Sequence, residues 1–236
     1  AKVAEVAGDS RFRELMEAAM HDRSRLTRAF EQGLDASIAD LASKLGVDPD
    51  LSPDALIASA LSQAQIEATG FRNAWQVLMD QATDAFKKKI APLQSLVDGT
   101  GDPLALWPLV RKTLLKSDGE IATHNFPAKK TAEALPTEID QLRDFQTLIR
   151  DTANQLKALD LLAVNRAFLT LSHALLSRFE RAKARKGVLD FDDLIQRAGQ
   201  LLKGGIEPLP GAAQWVHFKL DQGIDHILVD EAQDTN

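Results

Sequence analysis

Two carboxylates at the end of a short apolar run are the residues of this sequence best suited to chemistry. Asp230 and Glu231 directly follow Ile227-Leu228-Val229, a run that predicts a buried β-strand. In open α/β sheets, ligands bind outside the carboxyl ends of the strands. One carboxylate there can hold Mg²⁺, directly or through water, and the next can orient or deprotonate a water that attacks a phosphate. The same residues also fit a strand that ends in a solvated acidic turn.

Two longer segments resemble a single protein family. Residues 227–236, ILVDEAQDTN, resemble the Walker B segment of the UvrD/Rep group of superfamily 1 helicases. Residues 188–195, VLDFDDLI, resemble a second segment of that group, and the two occur in the family's order. The long stretch before them, with residues 114–120 and 126–130, resembles the enlarged 1B domain of AddA, the helicase-nuclease subunit of AddAB. RecB-like and UvrD-like helicases are the alternatives.

This resemblance implies a role for each matching residue. Asp230 would coordinate the Mg²⁺ of Mg-ATP, and Glu231 would be the general base for hydrolysis. Gln233 would bind at the nucleotide site and link it to the DNA-binding parts of the motor. The three aspartates of the second segment are expected to cap and position a helix over residues 194–202, without a catalytic role.

The resemblance also implies what the parent protein does. It would couple ATP hydrolysis to 3′-to-5′ translocation on DNA and process double-strand ends for recombinational repair in the cytoplasm. Its partners would be double-stranded DNA ends, single-stranded DNA and an AddB-like second subunit, and its nuclease activity would lie elsewhere in the parent. The sequence begins with Ala1 and contains no Gly-Lys-Ser or Gly-Lys-Thr, the end of a P-loop. We therefore expect an internal fragment that is inactive alone.

Clusters of basic residues are the candidate DNA contacts. One cluster lies at the end of a predicted helix, where cations also complement the negative end of the helix dipole, so a solvated helix end is the alternative. A second cluster lies in an irregular stretch. The candidates are Arg178, Arg181, Lys183, Arg185 and Lys186 in the first cluster, and Lys129 and Lys130 in the second.

Composition excludes several classes of function. The 236 residues contain no cysteine, which excludes disulfides, a thiolate nucleophile and cysteine-ligated zinc. The five histidines show no metal-ligand spacing. A formal net charge of −6 excludes a uniformly basic nucleic-acid coat. We expect no membrane span, because no uninterrupted apolar run approaches the roughly 18 residues that cross a bilayer. A non-catalytic helical interaction module is the rival from another class.

Helical periodicity and few glycines and prolines predict a mainly α fold. We expect a helical bundle of the 1B type over residues 1–170. Residues 171–236 would return into motor domain 1A and end in one short strand of the P-loop motor. Ser52-Pro53 and Asp102-Pro103 are predicted helix starts, and Gly187 is a predicted stop.

Three apolar stripes are predicted to face the interior. The first runs from Phe71 to Ile90 as one long helix and includes Trp75, and a shorter helix after Asp102-Pro103 places Trp107 in the core. Trp215 is also predicted to pack. The second stripe comprises Ile139, Leu142, Phe145 and Ile149, and the third comprises Leu161, Val164, Phe168, Leu171, Leu175 and Phe179.

Overall fold

The computed structural model describes residues 13–121, 126, 129–202 and 212–221. These ranges are mainly helical, as predicted, and their one extended contact is an isolated antiparallel bridge between Leu115 and Ile121. A helical stretch over 13–21 precedes the numbered helices. The helices are α1 (Arg23–Ala29), α2 (Leu34–Leu45), α3 (Pro53–Ala60), α4 (Gln63–Ala68), α5 (Phe71–Gln81), α6 (Asp84–Ile90), a 3₁₀ turn (Ala91–Leu93), α7 (Gln94–Asp98), α8 (Pro103–Leu114), α9 (Lys129–Ala134), α10 (Pro136–Lys186), α11 (Phe191–Leu202) and α12 (Ala212–Asp221). The predicted strand over 227–229 lies outside the described residues.

Several helix boundaries follow the predicted signals. Helices α3 and α8 begin at Pro53 and Pro103, and the Asp102 carboxylate accepts a hydrogen bond from the Ala105 N–H at 3.2 Å. The single helix predicted from Phe71 to Ile90 is wrong. Ala82 is extended (φ −71°, ψ 168°), as is Thr83, and a second helix begins at Asp84, so the stripe is divided between α5 and α6.

Helix α10 is the central element of the fold. It runs for 51 residues without interruption, because no proline or glycine occurs between Pro136 and Gly187. At 1.5 Å per residue it is about 75 Å long. The helix crosses residue 170 without a break, so the predicted domain boundary there coincides with no loop.

The main core lies against the first half of α10. The rings of Phe71 and Phe145 stack there with their centroids 4.4 Å apart, and Trp75 meets Phe71 edge to face. Gln146, which is buried with them, donates its side-chain N–H to the Leu114 carbonyl at 2.8 Å. This hydrogen bond satisfies the last turn of α8, whose carbonyls have no partner within the helix. The predicted stripe from Ile139 to Ile149 is therefore confirmed, as are Trp75 and Trp107 as core residues.

The face predicted for the second half of α10 is wrong. Leu161 and Leu171 are exposed, whereas Leu162 and Leu176 are buried. The cause is that the helix is apolar on more than one side here, and α2 packs on the side that carries Leu162. Trp215, on α12, is 61% exposed to solvent among the described residues, contrary to its predicted packing role.

Helix α10 bears on the expectation that the chain has no membrane span. One 18-residue window within it has a mean hydropathy of 1.3 and is long and apolar enough to cross a bilayer, by length and composition alone. Only 22% of that window is buried. A helix that contributes to a protein core passes the same test, and α10 supplies Phe145 and Ile149 to the main core.

Candidate functional site

The predicted nucleotide-binding residues Asp230, Glu231 and Gln233 lie outside the described residues. The structure does describe the LDFDDLI segment (189–195) and the basic end of α10 that precedes it. These two features meet at the junction between α10 and α11.

A reciprocal capping box begins α11. The Asp190 carboxylate accepts a hydrogen bond from the Asp193 N–H at 3.0 Å, and the Asp193 carboxylate accepts one from the Asp190 N–H at the same distance. Each aspartate thus satisfies a backbone donor that has no partner within the helix. The predicted capping role of these aspartates is confirmed, although the helix begins at Phe191 and not at residue 194.

Gly187 ends helix α10. Its φ of 65° is in the left-handed region, where glycine is favoured. The N–H groups of Gly187 and Val188 donate to the carbonyls of Ala184 and Lys183, the pattern of a Schellman motif. The predicted helix stop is therefore confirmed, and three residues separate Gly187 from the first residue of α11.

Lys183 fills the space between the end of α10 and the start of α11. Its ammonium lies 2.7 Å from an Asp193 oxygen, 3.1 Å from an Asp190 oxygen and 2.8 Å from a Glu180 oxygen. Only 9% of the side chain is exposed. Sequence context placed this residue among the DNA contacts, but here its charge is directed at protein carboxylates.

Arg23, on α1, contacts the same carboxylates from the other side. Its Nη2 atom lies 2.6 Å from Asp190 Oδ1 and 2.7 Å from Asp192 Oδ2. The ring of Phe179 lies beside both cations, with its centroid 5.3 Å from Arg23 Cζ and 4.9 Å from Lys183 Nζ. A cation over an aromatic face gains roughly 0.5–1 kcal/mol at an exposed site and more when desolvated. We call this group of residues the junction cluster: Arg23, Phe179, Glu180, Lys183, Asp190, Asp192 and Asp193.

The pKa values of three groups in the junction cluster reflect this pairing. Burial by itself lowers the pKa of Lys183, but hydrogen bonds to Asp193, Glu180 and Asp190 outweigh it and hold that pKa above its ordinary value. Desolvation raises the pKa of Asp190, yet the Asp193 N–H and the Lys183 ammonium together hold it below its usual 3.8. The hydrogen bond from Lys183, followed by that from the Asp190 N–H, also lowers the pKa of Asp193. All three groups are therefore charged near neutral pH.

The opposite side of the same helical turns carries three arginines. Arg178, Arg181 and Arg185 are spaced by three and four residues and are exposed on one face, which we call the arginine face. With Ala184 they line an open concavity of about 550 Å³. Arg181 donates its Nε–H to the Ser177 carbonyl at 2.9 Å. No carboxylate within the described part of the chain forms an ion pair with these arginines, so their charges are available to an anion.

The remaining predicted DNA contacts are scattered. Lys186 is exposed at the end of α10. The irregular structure predicted at Lys129 and Lys130 is wrong, because both begin α9, just before α10; Lys129 lies 3.7 Å from Glu133. The structure therefore places the two lysines and the arginine face towards opposite ends of a helix about 75 Å long.

Sequence reasoning did not find Arg23. It lies 167 residues before Asp190, and no local pattern links them. Helix α1, RSRLTRA, contains three arginines, and nothing in the sequence distinguishes Arg23 from the other two. Only the fold, which places α1 beside the end of α10, identifies which arginine contacts the LDFDDLI segment.

Comparisons with known proteins agree with these observations. The family model described as UvrD/REP helicase N-terminal domain matches residues 39–236. No match was found among curated proteins or among solved structures. The matched range covers most of the chain and includes α10, the arginine face and the LDFDDLI segment. The chain therefore belongs to the UvrD/REP helicase N-terminal domain family.

Proposed function

We propose that this chain is an internal part of an AddA-like helicase-nuclease subunit that unwinds and processes double-strand DNA ends for recombinational repair. It would comprise a helical 1B-like domain and the return into motor domain 1A. The parent would use ATP and Mg²⁺, associate with an AddB-like subunit and act in the cytoplasm. Membership of the helicase family supports the ATP-dependent motor. The long helical region before the LDFDDLI segment, and the resemblance of residues 114–120 and 126–130 to the AddA 1B region, support the AddA-like assignment.

Residues beyond the described part of the chain would carry the chemistry. Asp230 would hold Mg²⁺, which favours oxygen ligands and bridges the phosphates of ATP. Glu231 would orient or deprotonate the attacking water, and Gln233 would bind at the same site. The support for these roles is the match of residues 227–236 to a Walker B segment and the extent of the family match.

A substitution tests the role of Glu231. In a parent protein that includes a P-loop, Glu231→Gln removes the base but keeps a side chain of the same size. We expect ATP turnover to fall at least 100-fold while the Kd for nucleotide stays within about threefold, a loss typical of a missing general base. The 236-residue chain alone is expected to show no Mg²⁺-dependent turnover in the same assay. Turnover unchanged in the variant would exclude Glu231 as the base.

The arginine face is the observation that carries DNA binding by this part of the molecule. Three exposed guanidinium groups lie side by side on one helical face and have no carboxylate partner among the described residues. Guanidinium groups bind phosphate oxygens through paired N–H donors, and each phosphate contact releases counterions from the DNA. The face therefore suits the backbone of duplex DNA. Lys186 would add a contact at the same end of α10, and Lys129 and Lys130 would act separately.

The salt dependence of DNA binding tests the arginine face. We expect the triple variant Arg178→Gln, Arg181→Gln, Arg185→Gln to weaken duplex binding at least tenfold at low salt. The slope of log K against log salt should fall by about 0.9 for each phosphate contact removed, or by about 2 to 3 in total. Fluorescence anisotropy with a labelled duplex measures both quantities.

A matched control separates local contacts from net charge. Arg25→Gln, Arg143→Gln and Arg197→Gln remove three positive charges from exposed positions on α1, α10 and α11. This control should keep the slope of the wild type. Equal losses in the two triple variants would show that only the overall charge matters, and the arginine face would then have no specific role.

A further inference from the structure

Lys183 and the arginine face lie on the same two turns of α10 but point in different directions. Arg181 and Arg185 are exposed. Lys183, which lies between them in the sequence, is buried. At 100° per residue, Lys183 lies more than 120° around the helix from each of its two arginine neighbours. The arginine side of this helix end is therefore available to an external anion, whereas on the other side Lys183 is paired with carboxylates of the chain itself.

The buried charge of Lys183 depends on the carboxylates around it. An ammonium with 9% of its side chain exposed is tolerated because three carboxylates surround it. Removing Lys183 would leave Glu180, Asp190 and Asp193 close together with their negative charges less compensated. Since two of these carboxylates also form the capping box, the start of α11 depends on Lys183 more than on an ordinary surface ion pair.

Arg23 connects a third helix to the same point. It contacts Asp190, which caps α11, and Asp192, in the first turn of that helix. The first turn of α11 is thus bound to α10 by Lys183 and to α1 by Arg23. The connection between α10 and α11 is short and passes through Gly187, and these side-chain contacts join the two helices across it.

Helices α11 and α12 precede, in the sequence, the residues predicted to form the nucleotide site. Helix α12 packs against α11 and ends at Asp221, and eight residues separate that end from Asp230. A shift of about 1 Å at a reacting group costs up to about 100-fold in rate, even when its origin is remote from the chemistry. An anchor on the first turn of α11 is therefore well placed to influence hydrolysis.

We propose that Lys183 and Arg23 are positioning residues for ATP hydrolysis, which hold the first turn of α11 against α10 and α1. The proposal rests on the proposed function. It assigns Lys183 to the motor and not to the DNA contacts with which its sequence neighbours group it.

The first experiment measures the anchor in the 236-residue chain. Lys183→Met removes the charge and keeps the length of the stem, and hydrogen exchange reports on the backbone. We expect the amides at the start of α11 to exchange at least tenfold faster, while those of α5 in the main core are unchanged. Arg23→Met should have the same effect, and Lys183→Arg should restore most of the protection. Unchanged exchange in α11 would overturn the proposal.

The second experiment measures function in a parent protein that includes a P-loop. Lys183→Met should lower kcat for DNA-stimulated ATP hydrolysis about tenfold, with KM for ATP and the Kd for DNA within twofold of the wild type. Lys183→Arg should recover most of kcat, and the exposed control Arg143→Gln should behave as the wild type. An unchanged kcat, or a tenfold loss of DNA affinity instead, would refute the positioning role.

The two experiments separate the failure of this proposal from that of the proposed function. A wild-type parent without ATP turnover would overturn the proposed function and the positioning role together. An active wild type with an unaffected Lys183→Met variant would overturn the positioning role alone. Should Lys183→Met fail to fold, Arg23→Met removes the second anchor, leaves the capping box intact and decides the proposal by the same two measurements.

Discussion

The lysine and the arginines at the end of α10 have different roles, and the chemistry of their side chains explains the difference. Lys183 places a compact ammonium among three carboxylates and reaches all of them with its rotating N–H donors. The planar guanidinium groups of Arg178 and Arg185 remain exposed, in a form suited to phosphate. Sequence alone grouped all of these cations as DNA contacts, because it shows their spacing but not which side of the helix is covered.

The ionisation of the junction cluster predicts how the stability of the chain depends on pH. Asp190 and Asp193 have lowered pKa values. Their contribution to the free energy of unfolding is therefore complete above their usual pKa of 3.8, and it is lost as pH falls through the lower pKa values of the folded chain. Lys183 has a raised pKa, so its contribution is complete below its usual 10.5 and is lost as pH rises through the folded value. The cluster should therefore stabilise α11 evenly between about pH 5 and pH 9.

Urea unfolding of the wild type and of Asp193→Asn measures this dependence. The variant should have the lower midpoint between pH 5 and pH 9. The difference should narrow below about pH 4, because the Asp193 carboxylate is protonated first in the unfolded chain and, at the lower folded pKa, in the folded chain. Asp144→Asn, in the first half of α10 and away from the cluster, serves as the control. A difference that stayed constant down to pH 2 would contradict the ionic origin of the effect.

At the scale of elements, the sequence predicted helix starts and stops that depend on residues close together in the chain. The stop at Gly187 and the caps of α8 and α11 depend on residues within a few positions of one another, and they were predicted. The buried face of the second half of α10 was not predicted correctly. Several sides of that helix are apolar, and only the packing of α2 decides that Leu162 is covered and Leu161 is not.

Gly187→Ala tests the turn that joins α10 to α11. A Cβ at this position would meet no atom within 4 Å, so the only cost is the left-handed backbone, about 1 to 2 kcal/mol. The free energy of unfolding in urea should fall by about that amount. Gly199→Ala is the matched control, since it lies within α11 and is equally free of contacts. It should stabilise by up to about 1 kcal/mol. A neutral Gly187→Ala variant would show that this turn is not constrained.

At the scale of the whole molecule, the described residues show an uneven distribution of apolar surface. Most of the core packs on the first half of α10. Large apolar side chains at the start of α11 and on α12 are exposed: Phe191 (84%), Ile195 (70%), Trp215 (61%) and Phe218 (56%). The sequence predicted the mainly helical class because its periodicity is helical throughout. It predicted no long-range contact, and the pairing of Arg23 with Asp190 required the fold.

The uninterrupted course of α10 also gives the molecule the mechanics of a lever. The packing of α2 holds the helix at Leu162, and the arginine face begins near Arg178, about 24 Å further along the axis. A tilt of about 10° about the held part would displace the arginines by about 4 Å, which exceeds the length of a hydrogen bond. Small adjustments of packing in the bundle would thus decide whether the far end of the helix engages or misses a phosphate.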